Sequence, residues 1–194
     1  MSKTTPTDYE IHDLLKKRWS PRVFSEKPVS EAELKQLLEA GRWAASSNNL
    51  QPWRIIWGRK GDGVFKRIFD CLHDFNKQWA DNASVLIVGA YKTHRDDGKE
   101  NFHALHDLGL FMGNLSLQAT TMNIALHQMA GIDPEKTIQT FSFPEGYHVA
   151  TAVAVGYYGG EVDKLPENLQ KMETKEVRER KPQSEWAFNG NFGG

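Results

Sequence analysis

The sequence has a single cysteine, Cys71, in 194 residues. No disulfide can form within the chain, which fits a reducing compartment. It also lacks an excess of either charge. Its 24 Lys and Arg stand against 25 Asp and Glu, for a formal net charge of −1. That balance argues against whole-surface attraction to nucleic acid or to an anionic membrane, so an anion site has to be local. Long hydrophobic runs are missing too. The most apolar stretch, near ASVLIVGAY, is too short to cross a bilayer. The opening MSKTTPTDYE is polar and carries acids, unlike a secretory signal or transit peptide. Repeats, low-complexity tracts, G-x-S-x-G, the P-loop and G-x-G-x-x-G are all absent. A nucleophile elbow and a Rossmann-type nucleotide site therefore have no support. A cytoplasmic protein with no membrane or nucleic-acid partner is expected, in one domain spanning 1–194.

What is present reads as α+β. DYEIHDLLKKR predicts a short helix with a basic end, which complements the helix dipole. SEAELKQLLEAGRWAA opens with Ser30 and Glu33 in capping-box spacing and carries a leucine stripe. WRIIWG, SVLIVGAY and VATAVAVGYYG predict strands, the last two buried. The stretch 101–131 between them has no proline and is apolar on nearly every face. It predicts one long helix ending at Gly131, too apolar to be wrapped by one chain. Asp133 and Pro134 then cap a short helix. From about Leu165 the chain is polar, yet Trp186, Phe188 and Phe192 stand there without a core of their own.

Four stretches carry candidate chemistry. In KKRWSPRVF, Pro21 pushes Ser20 to extended geometry. Arg18, Ser20 and Arg22 then share a face, as a phosphate cradle or as two surface arginines bracketing a turn. AASSNNLQPW is a polar loop closed by Pro52 and Trp53; its amides suit a heteroaromatic edge or simply a turn. In HQMAGID, Gly131 allows close backbone approach to a flat ligand, or a plain helix end. In VRERKP, Arg178 and Arg180 alternate, as a second anion contact or as a solvated face. His103, His106 and Asp107 offer metal-ligand types without a second cluster, so packing or hydrogen bonding is expected and no metal. Cys71 in RIFDCLHDF reads as core.

Together and in order, RWSPRVF, LLEAGRWAASSNNLQPW, ASVLIVGAY, LGLFMGNLSLQATTMNIALHQMAG, PEGYHVATAVAVGYYG and RERKP resemble the nitroreductase family of FMN-dependent oxidoreductases. The resemblance runs from about Tyr9 to the end. It implies a mainly antiparallel sheet flanked by helices, in a homodimer that exchanges C-terminal arms and holds two FMN at its interface. Arg18, Trp19, Ser20 and Arg22 match the early element that holds the FMN phosphate and ribityl chain. Ala45, Ser46, Ser47 and Asn49 match the Pro-Ser-Ser-x-Asn loop given by the other subunit, with Ala45 in place of Pro and Gln51 in the same loop. Asn76 matches an asparagine at the pyrimidine side of the ring. Gln128, Met129, Ala130 and Gly131 match the segment beside the flavin edge, where some relatives carry Glu in place of Ala130. Arg178 and Arg180 match the late basic pair at the phosphate.

The resemblance implies NADH or NADPH as hydride donor. The acceptors are nitroaromatics, quinones or other flat molecules in a second half-reaction at the same place. No acid, base or other catalytic side chain is implied. Related FMN chemistries, such as enal, enoate or semialdehyde reduction and dehalogenation, are the alternative enzyme reading. RWSPR and QPWRIIWGRK also interleave arginine with tryptophan as single-strand nucleic-acid surfaces do. The near-zero net charge weighs against that.

Overall fold

A computed structural model describes residues 3–193. Four strands form one antiparallel sheet: β1 (Trp53–Arg59), β2 (Val85–Lys92), β3 (Ile124–Met129) and β4 (Tyr147–Tyr157), in the order β1-β2-β4-β3. β2 and β4 lie at the centre, β2 buried over 85–90 and β4 over 152–157, as their continuous apolar runs require.

Among the described residues, seven α-helices surround the sheet: α1 (Asp13–Lys17), α2 (Glu31–Arg42), α3 (Gly63–Asp70), α4 (Asp74–Lys77), α5 (Ala104–Thr121), α6 (Pro134–Phe141) and α7 (Glu167–Thr174). Local chemistry sets their starts. The Glu33 carboxylate accepts the Ser30 N–H at 2.8 Å, and Ser30 Oγ accepts the Glu33 N–H at 3.2 Å. Asp133 accepts the Lys136 N–H at 2.9 Å, with Pro134 as the first helical residue.

The sheet separates two cores. On one face α2 and α5 bring Leu34, Leu37, Leu108, Phe111, Met112 and Leu115 against Ile87, Leu126 and Val153. On the other, Phe65 and Ile68 of α3, Leu169 of α7 and Trp79 pack on Leu86, Val88 and Ala125.

The expected helix over 101–131 is corrected. α5 stops at Thr121, Asn123 turns the chain with φ 57°, and Ile124–Met129 is the edge strand β3. Asparagine adopts this left-handed conformation easily and ends helices as glycine does. β3 then alternates, sending Leu126 into one core and Met129 into the other. Gly131 therefore follows a strand. As its all-round apolar character implied, α5 is not wrapped by one chain: Leu105 and Leu110 face outward beside an exposed Phe102. Trp186 and Phe192 lie exposed in the tail, without a core within the chain.

Candidate functional site

Around Pro21 the early arginine stretch is extended, and its two arginines have different partners. Arg18 Nη1 donates to Ser20 Oγ at 3.2 Å, so these two share a side. Trp19 is buried with its ring 5.8 Å from that of Tyr158. The Arg22 backbone N–H donates to both oxygens of Glu173 at 3.1 Å, and its guanidinium lies 3.9 Å from the same carboxylate. Arg22 Nε is buried and has no hydrogen-bond partner.

The late arginines come to the same place. Thr4 pairs its backbone with Glu176 and Arg178, laying the tail beside the start of the chain. Arg178 donates to the Arg18 carbonyl, to Thr5 Oγ1 at 2.7 Å and to the Lys16 carbonyl at 3.1 Å. Its fork is thus occupied in tying down the end of α1. Among the described residues, Arg180 donates only to the neighbouring Glu179 carbonyl, at 2.7 Å. Burial lowers the pKa of Arg18, and the Arg180 guanidinium lowers it further against Tyr158. Burial also lowers that of Arg178, with Arg18 and Arg180 adding to it. The guanidinium groups of Arg18, Arg178 and Arg180 thus crowd together, with no carboxylate among the charges acting on Arg18 and Arg178.

Two residues beneath this group had no sequence signal. His127, on β3, donates Nδ1–H to the Pro21 carbonyl at 2.9 Å, and its ring centre lies 4.4 Å from that of Trp79. Its pKa is pushed down to about 4, chiefly by burial, with Arg22 and Arg18 adding to it against the Pro21 bond. Glu173, on α7, is the carboxylate under Arg22; burial raises its pKa, opposed by the Arg22 and Val23 amides. Alternation along IALHQM would have placed His127 beside Met129, but only once that stretch is read as a strand. Nothing in ENLQKMET distinguishes Glu173 from a solvated acid.

Asn76 and Gly131 meet as well. Asn76 Nδ2 donates to the Gly131 carbonyl at 3.0 Å, and a Cβ on Gly131 would lie 2.6 Å from that nitrogen. A larger residue there would displace the Asn76 amide from this bond. Met129 is buried, whereas Gln128 and Ala130 are exposed. Gln128 points to the sheet face opposite His127, as the strand period demands.

The loop 45–51 lies elsewhere. The Ser47 N–H donates to Asp107 Oδ2 at 3.1 Å, and the Gln51 N–H donates to Ser46 Oγ at 3.1 Å. Gln51 Nε2 reaches Asn49 Oδ1 at 3.1 Å. Asn48, Asn49 and Gln51 have left-handed φ of 50°, 55° and 46°. Such geometry in non-glycine residues costs of order 1–3 kcal/mol each and clusters at functional sites. The loop leads into β1 on the α2–α5 side, whereas the arginines stand by β3 on the α7 side. Three strand spacings, roughly 14 Å, and the thickness of the sheet separate them.

The HxxHD run lies beside this loop. Ligand atoms of His103, His106 and Asp107 come within 4.8 Å of one another. The Asp107 oxygens, however, face the Ser47 N–H and His106 Nδ1, the latter at 3.4 Å, so the group is a hydrogen-bonded one. Cys71 is buried at the end of α3. Among the described residues, no helix is long and apolar enough to cross a membrane.

The Nitroreductase family profile matches residues 15–78 and 59–157. The major NAD(P)H-flavin oxidoreductase of Aliivibrio fischeri is 28% identical over 190 residues, covering 76% of this chain and 87% of that protein. A crystal structure described as an oxidoreductase containing FMN is 30% identical, with a TM-score of 0.91 over 99% of this chain and 98% of the other. A nitroreductase family protein from Clostridium difficile 630 shares the fold, with a TM-score of 0.72 at 22% identity over 95% of this chain and 100% of that one.

Proposed function

The chain belongs to the nitroreductase family, and on that premise we propose that it is an NAD(P)H-dependent FMN oxidoreductase acting as a homodimer on nitroaromatics, quinones or related flat acceptors. The observation that carries this reading is the separation of two half-sites. The arginine group and the polar loop lie on opposite faces and opposite edges of one sheet, so a single chain cannot close them on one ligand. A second copy can, and the exposed Leu105, Leu110, Phe102 and Trp43 give it apolar surface to cover. The tail aromatics Trp186 and Phe192 find their burial in the same assembly, as an exchanged arm.

The residues fit FMN. A phosphate monoester carries nearly two charges, and Arg18, Ser20, Arg22 and Arg180 supply donors for it, including the orphaned Arg22 Nε. Arg178 supports them by fixing the backbone of Arg18. The Asn76 amide takes the place of a Gly131 side chain and holds that stretch of main chain for a flat ring. Ser46, Ser47, Asn49 and Gln51 of the second copy offer amide and hydroxyl groups to the ring edge. Bound there, FMN supplies hydride acceptance from NADH or NADPH and electron delivery to the acceptor. The side chains bind and orient; none is placed as an acid or base.

Purified protein should be yellow, release FMN on denaturation and oxidise NADH or NADPH with a quinone. Colourless protein that takes up no FMN on titration would sink this reading.

A further inference from the structure

We infer that Asp107 is a positioning residue for the 46–51 loop, holding it in the shape that completes the site of a second copy. The inference rests on the reading of that loop as half of an FMN site. Asp107 sits in the first turn of α5 and is only 1% exposed. A carboxylate is costly to bury unless it is paired or hydrogen-bonded. Among the described residues no Lys or Arg pairs with it; its contacts are the Ser47 N–H and the exposed His106 ring. A buried anion kept against a backbone amide, rather than against a cation, serves that amide.

The loop needs such a hold. Three of the four residues Asn48, Asn49, Leu50 and Gln51 are left-handed, and all four are exposed, so packing does not fix them. The bonds from Gln51 to Ser46 and Asn49, and from Arg54 to the Gln51 carbonyl, stay within the loop or its own strand. Among the described residues, the Asp107 bond alone ties 46–51 to another element by a hydrogen bond. It sets the loop on α5, the helix that also presents Leu105 and Leu110 to solvent. Loop shape and assembly surface therefore share one rigid support.

The test compares Asp107→Leu, which removes the acceptor at similar volume, with Asp107→Asn, which keeps one carbonyl oxygen for Ser47. Two readouts are taken on the full chain: amide hydrogen exchange over 46–51, and FMN affinity of apoprotein by fluorescence titration. Asp107→Leu is expected to speed exchange at the Ser47 amide and weaken FMN binding, each by roughly tenfold or more, while exchange across β2 and β4 stays as in the wild type. Asp107→Asn is expected to keep both within about threefold. Unchanged loop exchange in Asp107→Leu overturns the inference. So does equal loss in both variants, or loss of protection throughout the sheet, because each marks Asp107 as a general core group. If the wild type binds no FMN, the functional reading fails, and the exchange arm still decides the role of Asp107.

Discussion

Replacing His127 with glutamine should remove much of the acid sensitivity of folding. In an unfolded chain histidine titrates near 6.5, and in the fold His127 is held at about 4. As pH falls below the unfolded value, the unfolded state takes up a proton that the folded state refuses until its own pKa is reached. Stability contributed by neutral His127 is thus fully present above about pH 6.5 and lost as pH falls towards 4. The whole gap of roughly 2.5 units corresponds to about 3 kcal/mol. Between about pH 7 and pH 5 the same linkage amounts to about 2 kcal/mol. Glu173 works in the opposite sense, since burial raises its pKa and favours its protonated form. The comparison between wild type and His127→Gln cancels that contribution. The assay is urea unfolding of apoprotein at fixed protein concentration over a pH series. The variant should lose about 2 kcal/mol less than the wild type between about pH 7 and pH 5. Parallel pH dependence in the two proteins would refute the argument that burial beside Arg22 and Trp79 keeps this imidazole neutral.

Arg18→Ala and Arg180→Ala should each weaken FMN binding roughly ten- to a hundredfold, and the double variant should depart from additivity because both serve one phosphate. Arg178→Ala should mainly lower the melting temperature, because its fork binds main-chain carbonyls; wild-type FMN affinity in both Arg18→Ala and Arg180→Ala would make these surface charges. Initial rates with NADH or NADPH and a quinone should give parallel lines, as expected when two substrates use one place in turn; intersecting lines would contradict that. Sedimentation should show a dimer at all working concentrations, and a stable FMN-loaded monomer would remove the two-copy site.

Strand and helix chemistry with a single period was legible in the sequence. β2 and β4 are long apolar runs, α2 has its capping box, and α6 has Asp133 and Pro134. The step from α5 to β3 was not, because ATTMNIALHQM stays apolar on either period and one left-handed asparagine makes the break. That error also concealed His127, whose place is set by alternation along β3. The arginines were legible as pairs, but the division of labour between Arg178 and Arg180 was not. It depends on Thr4 laying the two chain ends side by side. Asp107 was legible only as part of an HxxHD run expected to pack or hydrogen-bond, and Glu173 was not legible at all. The main-chain amides of Ser47 and Arg22 that these acids accept from leave no mark in the sequence.

The placement of loop and arginines on opposite faces has a genetic corollary. A chain with a ruined arginine group still carries a sound loop, and a chain with a ruined loop still carries sound arginines. On the two-copy site proposed above, two such alleles co-expressed should form mixed pairs in which one pocket inherits both faults and the other inherits neither. With random pairing about a quarter of all pockets are whole. Two alleles that fail separately would therefore restore activity together, whereas two alleles damaged in the same half would not.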